Sequence, residues 1–178
     1  MLVLLLFFLL IPDQHLAFVR NENGLGSGVI IKDGYVLTAE HLYSKNGVYV
    51  NHAQFDYLDG RKKAEVINRD KDNDLMLLRA NVKGSVKFAD PKLDEEVIIV
   101  GYAFGIKMVF HGRVSAIENN VVFIDCNAMR GTSGAGVFNK NGKLIGMVSF
   151  VYSDGGKAII GAIHSEIIQK FIGDLGGK

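Results

Sequence analysis

Short apolar segments rich in β-branched and aromatic residues recur along this chain, each closed by Gly, Asn or Asp, and this pattern constrains the fold more than any other feature. The spacing predicts strands over residues 16–20, 27–32, 35–38, 47–50, 54–58, 63–70 and 75–79. After Pro91 the series resumes over 96–102, 107–117, 120–125, 134–138, 144–151 and 158–163. Turn signals separate the strands at Glu22-Asn23-Gly24, Lys32-Asp33-Gly34, Asp59-Gly60, Asn141-Gly142 and Asp154-Gly155-Gly156; Asn-Gly and Asp-Gly are strong hairpin formers. The period then changes. Ile167, Ile168, Phe171, Ile172 and Leu175 fall at helical spacing, with Ser165 as the expected cap and Gly173 or Gly176 as the expected stop. The polar stretch 87–94 divides the strands into two sets of about six, which is the arrangement of two antiparallel β-barrels. The expected organisation is therefore all-β: an apolar segment over 1–13, one barrel over 14–90, a second over 91–164 and a helix over 165–175.

Composition removes several classes of function. A net charge of +1 over 178 residues gives no footprint for nucleic acid. The one basic run, Arg61-Lys62-Lys63, directly follows Asp59-Gly60 and reads as a solvated hairpin tip. A single cysteine, Cys126, excludes an internal disulfide and reads as a small buried hydrophobe. The five histidines (His15, His41, His52, His111 and His164) show no zinc-type spacing, so neither a metal nor a cofactor is expected. Residues 1–11 are all apolar after Met1 and precede Pro12. That run is too short for a membrane span of about 20 residues but has the length of a signal-peptide core. It carries no preceding Lys or Arg and no good cleavage site. Export to the periplasm or outside the cell, with residues 1–11 touching the membrane or the export machinery, is the expectation. An apolar element packed on the domain, a remnant of a longer protein and a cytoplasmic location stay open.

Chemistry is concentrated at Gly131-Thr132-Ser133-Gly134-Ala135-Gly136. A serine held between glycines reads either as an ordinary turn or as a nucleophile with backbone N–H groups aimed at an oxyanion. A hydroxyl nucleophile needs a base, and the base needs a group that fixes its tautomer. His41 closes one predicted strand and Asp74 opens another, so His, Asp and Ser stand in order at strand edges.

These segments resemble a known family. Leu25-Gly-Ser-Gly-Val-Ile-Ile31 with Gly34-Tyr-Val-Leu-Thr-Ala-Glu-His41, Asp74-Leu-Met-Leu-Leu78, Val100-Gly-Tyr-Ala-Phe-Gly105, Gly112-Arg-Val-Ser-Ala116, Asp125 to Gly136 and Leu144-Ile-Gly-Met-Val-Ser-Phe150 are similar, in order, to the chymotrypsin-fold serine peptidases, closest to the HtrA/Deg protease domain. The resemblance runs from about Leu16 to Leu175. It implies a trypsin-like hydrolase with two six-stranded barrels and a C-terminal helix. Ser133 would be the nucleophile, His41 the general base and then acid, and Asp74 the orienting carboxylate. The N–H groups of Gly131 and Ser133 would form the oxyanion hole. Ser149, Phe150 and Val151 would pair with a polypeptide substrate as an added strand. Asn127 would lie at the base of the primary specificity pocket, with Val151 and Gly161 on its walls. Lacking an acidic base, such a pocket favours small or medium apolar side chains over Lys or Arg.

The chain also departs from the family. Glu40 replaces a small or amide residue before the histidine, and a carboxylate close enough there raises the pKa of His41. Ala135 and Gly136 replace the usual Gly and Pro, and Thr132 replaces the aspartate that digestive members use in zymogen activation. His164 stands where proline is usual and reads as a helix-entry residue. No counterpart of the family's PDZ domain is expected after the helix, and the oligomeric state is left open. Two alternatives to a serine endopeptidase remain: a catalytically silent peptide-binding module on a peptidase fold, and a self-processing protease released from a precursor.

Overall fold

A computed structural model describes residues 15–51, 63–126, 131–154 and 157–173. Within them the chain forms β1 (Leu16–Arg20), β2 (Leu25–Lys32), β3 (Tyr35–Ala39), β4 (Val48–Asn51), β5 (Lys63–Asp70) and β6 (Leu75–Arg79). Then come β7 (Glu96–Ala103), β8 (Ile106–Glu118), β9 (Val121–Asp125), β10 (Gly136–Asn139), β11 (Leu144–Asp154), β12 (Lys157–His164) and the helix α1 (Ser165–Ile172). The order β1-β2-β3-β6-β5-β4 closes one antiparallel barrel and β10-β11-β12-β9-β8-β7 closes the other. This is the expected all-β architecture of two six-stranded barrels and a terminal helix. The strand expected at 54–58 lies outside the described residues.

The turns follow from residues that tolerate positive φ. Gly34 (φ 82°) and Gly142 (φ 68°) close the two hairpins marked by Asp-Gly and Asn-Gly. Two further hairpins turn on Phe104-Gly105 (51° and 76°) and Asn119-Asn120 (50° and 69°). Both positions of each pair are left-handed, as a two-residue hairpin loop demands.

Alternation along single strands builds two cores. In β7, Val97 and Ile99 point into the second barrel, while Ile98, Val100 and Tyr102 join the cluster that fills the first. A strand buried on both faces reads as an unbroken apolar run, which is how Val97 to Val100 reads. The first cluster also takes in Phe18, Leu37, Leu75, Phe138 and Ile168, so it continues through the seam to the helix. Phe18 meets Tyr102 edge-on across the seam at 5.1 Å. The linker is docked as well: Ala89 N–H donates to Leu144 O and Leu144 N–H to Lys87 O.

The helix is capped differently from the expectation. His164, not Ser165, is the cap, its Nδ1 accepting from Glu166 N–H at 3.0 Å. Ser165 instead sits fully buried as the first helical residue. Gly173 (φ 53°) ends the helix, and a Lys170–Glu166 ion pair at 2.7 Å spans one turn of it.

Candidate active site

β3 ends at Ala39 and the chain enters a 3-10 turn, Glu40–Leu42, which carries His41. The loop before β6 holds this turn. Glu40 N–H donates to Asp74 O (3.2 Å) and His41 N–H to Asp74 Oδ1 (2.9 Å). The imidazole Nδ1 lies 2.9 Å from Asp74 Oδ2 and 3.0 Å from Oδ1. Asp74 has a left-handed backbone (φ 53°), a conformation that Asp adopts more readily than most residues. The loop that imposes it is tied by the Asp70 carboxylate, which accepts from Asp72 N–H, Asn73 N–H and Asn73 Nδ2.

Ser149 completes this group from the second barrel. β11 and β12 pair Val148 with Ala162 and then Phe150 with Gly161, so Ser149 is the extra residue of a β-bulge. A bulge re-aims the side chain it carries. Here Ser149 Oγ donates to Asp74 Oδ2 at 2.5 Å. Burial pushes the Asp74 carboxyl up, but the hydrogen bonds from His41 and Ser149 outweigh it and hold the group below the ordinary aspartate value. His41 is raised above the ordinary imidazole value, chiefly by its bond to Asp74. Burial opposes that rise, and the charges of Asp74 and, last, Glu40 add to it. The expected influence of Glu40 on the imidazole is thus present in direction and minor in rank.

Ser133 sits on a turn seated against both barrels. Its carbonyl accepts from Ser27 N–H on β2, Gly134 N–H donates to Val148 O on β11, and Ala135 N–H closes the turn onto Thr132 O, each at 2.8 Å. Gly131 (φ 98°) and Gly134 (φ 81°) supply the left-handed positions. Among the described residues, Ser133 Oγ makes no hydrogen bond to His41, and neither Gly131 N–H nor Ser133 N–H donates to the protein. The turn nevertheless borders the histidine segment. A Cβ placed on Gly26 would stand 3.1 Å from Ser133 O and 2.4 Å from Cδ1 of Leu42, the neighbour of His41.

Phe150 and Val151 follow Ser149 on β11, with Val151 opposite Ile160. The half-exposed Phe150 ring lies on Gly161, where an added Cβ would be 2.0 Å from the ring, and meets Phe123 edge-on at 6.5 Å. Asn127 lies outside the described residues. Among the described residues no cluster suits a metal ion, and no helix is long and apolar enough to cross a membrane.

Sequence reasoning passed over Ser27 and Thr38, both fully buried. Ser27 Oγ accepts from Tyr102 N–H at 2.7 Å across the seam, and Thr38 Oγ1 donates to Ser27 O at 2.7 Å. The signal was the glycine on either side of Ser27, which marks a close approach of backbones.

Comparison with known proteins agrees with this fold. The trypsin-like peptidase domain family matches residues 26–147. The chain is 34% identical over 172 residues to the periplasmic serine endoprotease DegP of Salmonella typhimurium, covering 85% of this chain and 35% of that protein. It is 32% identical over 157 residues to a probable periplasmic serine protease, do/HhoA-like, of Haemophilus influenzae, covering 77% of this chain and 33% of that one. The chain thus spans about a third of the length of these relatives. Its fold is similar to the HtrA-type protease AlgW with tripeptide (TM-score 0.79, 22% identity, 92% of this chain and 60% of that chain). It is equally similar to the active form of the Rv3671c protease of M. tuberculosis (TM-score 0.79, 18% identity, 99% and 85%). With its two closed barrels and its match over residues 26–147, the chain belongs to the trypsin-like peptidase family.

Proposed function

We propose that this protein is a serine endopeptidase working through an acyl-enzyme, with Ser133 as nucleophile, His41 as base and then acid, and Asp74 as the orienting carboxylate. The observation that carries the reading is the Asp74 carboxylate gripping His41 Nδ1 at 2.9 Å while Ser149 Oγ donates to the same oxygen, Oδ2. That grip puts the proton on Nδ1 and leaves Nε2 as a lone-pair acceptor. Ser133 Oγ attacks the scissile carbonyl carbon as its proton passes to Nε2. The carbonyl oxygen becomes an oxyanion, for which Gly131 N–H and Ser133 N–H are the available donors. Collapse of the tetrahedral intermediate expels the amine, which takes the proton from His41, and water then repeats the sequence on the acyl-enzyme. The substrate lies beside β11 as an added strand. The Phe150 ring over Gly161 supports a shallow pocket suited to small or medium apolar side chains. The periplasmic relatives support export as the destination.

The test is covalent labelling by an organophosphonate or sulfonyl fluoride, with turnover of a casein-type substrate. Wild type should label and Ser133→Ala should not; equal labelling refutes the nucleophile. Peptide affinity that survives Ser133→Ala, with no turnover by wild type, would identify a silent peptide-binding module instead. Mass spectrometry of the mature N-terminus separates export processing from self-release out of a precursor.

A further inference from the structure

We propose that Arg69, anchored on Tyr43, is a positioning residue for His41: it holds the Glu40 carboxylate against β5 and offsets its charge beside the imidazole. The inference rests on the reading of His41 as the base.

Glu40 immediately precedes His41 in the 3-10 turn and its side chain is only 13% exposed. A carboxylate so placed is costly unless it is paired. Its partner comes from a strand two places away in the barrel. Arg69 Nε donates to Glu40 Oε1 at 2.9 Å, and Nη2 donates to the same oxygen. The same guanidinium lies over the Tyr43 ring with its carbon 3.4 Å from the centroid, in cation–π contact. Tyr43 closes the turn, its N–H donating to Glu40 O at 2.8 Å. One arginine therefore grips the residue before His41 and the residue that ends its turn, while Asp74 holds the backbone between them.

The electrostatic consequence follows from the neighbours. Among the described residues, the charged groups facing the imidazole are Asp74, from the loop before β6, and Glu40, and the charge facing Glu40 is Arg69. Asp74 is required for orientation. Glu40 is a second negative charge that favours the protonated imidazole, which cannot act as a base. Arg69 cancels much of that effect. Remove it, and Glu40 acts on His41 unopposed.

The experiment is an NMR titration of the His41 ring in the full chain, alongside the pH profile of kcat/KM, for wild type, Arg69→Gln, Glu40→Gln and the double variant. Arg69→Gln should move the His41 titration and the acid limb of the profile upward by about 0.5–1 in pH. In the Glu40→Gln background the same Arg69 change should move both by clearly less, because only the guanidinium's own field is lost and no carboxylate is released toward the ring. An unchanged His41 titration in Arg69→Gln overturns the proposal, and so does an equal shift in both backgrounds, which would mean that Arg69 acts on the ring without holding Glu40. Arg69→Lys, which keeps the charge and loses the fork, should fall between wild type and Arg69→Gln. If Arg69→Gln does not fold, Glu40→Gln carries the test, since it leaves Arg69 uncompensated and must lower the His41 titration; no change there overturns the proposal. The ring titrates whether or not Ser133 acylates, so failure of the peptidase reading, seen as absent labelling of wild type, is distinguishable from failure of this one.

Discussion

Replacing Gly134 with alanine measures how closely the turn that carries the proposed nucleophile is seated. Gly134 has φ 81°, a region that costs an L-residue about 1–2 kcal/mol. The added methyl would stand 2.0 Å from Ser27 O, 2.6 Å from Thr38 Oγ1 and 3.0 Å from Ser27 C. Two of those atoms are main chain of β2, which is paired on both sides by β1 and β3, and the third is a buried hydroxyl fixed on Ser27 O. None is the loose end of a flexible side chain. Reaching ordinary contact at about 3.5 Å requires the turn to back away by more than about 1 Å. That movement breaks the 2.8 Å bond from Ser27 N–H to Ser133 O, at about 1 kcal/mol. The sum, about 2–3 kcal/mol, lowers Tm by about 4–12 °C in a chain of this size. A displacement of about 1 Å in a reacting group costs about 100-fold in rate. Differential scanning calorimetry and kcat/KM on a fluorogenic peptide read both effects from one preparation. Gly24→Ala is the control, because nothing lies within 4 Å of its added Cβ. Wild-type Tm and kcat/KM in Gly134→Ala would show that the turn is not braced on β2 and would refute the reasoning.

Asp74→Asn keeps the shape of the site but reverses the tautomer of His41, so kcat should fall by about 10,000-fold; a loss below about tenfold would remove Asp74 from its orienting role. Stability should depend on pH through the same pair. Asp74 is pushed up by burial and brought below its ordinary value by its hydrogen bonds from His41 and Ser149, so its contribution is complete above about pH 4 and is lost as pH falls through the lower folded value. His41 is raised by its bond to Asp74, so its contribution is complete below about pH 6.5 and is lost as pH rises through the higher folded value. The base must be neutral, so kcat/KM should climb over the interval in which that stabilisation disappears. Thermal melts of wild type against His41→Ala from acid to alkaline pH read this directly, and a Tm difference that widens above neutrality would contradict it.

What could be read beforehand was local. Residues 16–20 and 75–79 are short apolar runs beside Asn21 and Asp74, residues 63–70 mix apolar and polar side chains up to Asp70, and β1, β6 and β5 occupy those residues. Asp33-Gly34 and Asn141-Gly142 turn where only left-handed residues fit comfortably. Phe104-Gly105 escaped because phenylalanine is a poor resident of that region; the register of β7 on β8 puts it there. The cap on α1 was misplaced by one residue for a similar reason, since burial of Ser165 against the barrel left His164 to meet Glu166 N–H. Glu40 was visible as a departure, but its partner Arg69 lies 29 residues away. Such pairings depend on which strands become neighbours in the barrel, and no spacing in the chain encodes that.

Neither barrel holds the proposed triad by itself. His41 and Asp74 belong to the first, Ser133 and Ser149 to the second, and the hydrogen bonds that cross between them include three short ones: Ser149 to Asp74, Ser27 to Ser133, and Tyr102 to Ser27. All three need the barrels at one separation. Gly101 sets it, because a Cβ there would fall 2.6 Å from Ala135 Cβ and 2.6 Å from Ser27 Oγ. The buried hydroxyl of Ser27 adds direction where packing alone would give only distance, since an apolar seam tolerates small slips that a satisfied hydrogen bond does not. A single side chain added at Gly101 would therefore act on the site without touching His41, Asp74 or Ser133. It would part Ser149 from Asp74, leave that carboxylate one donor short, and weaken the grip that orients the imidazole.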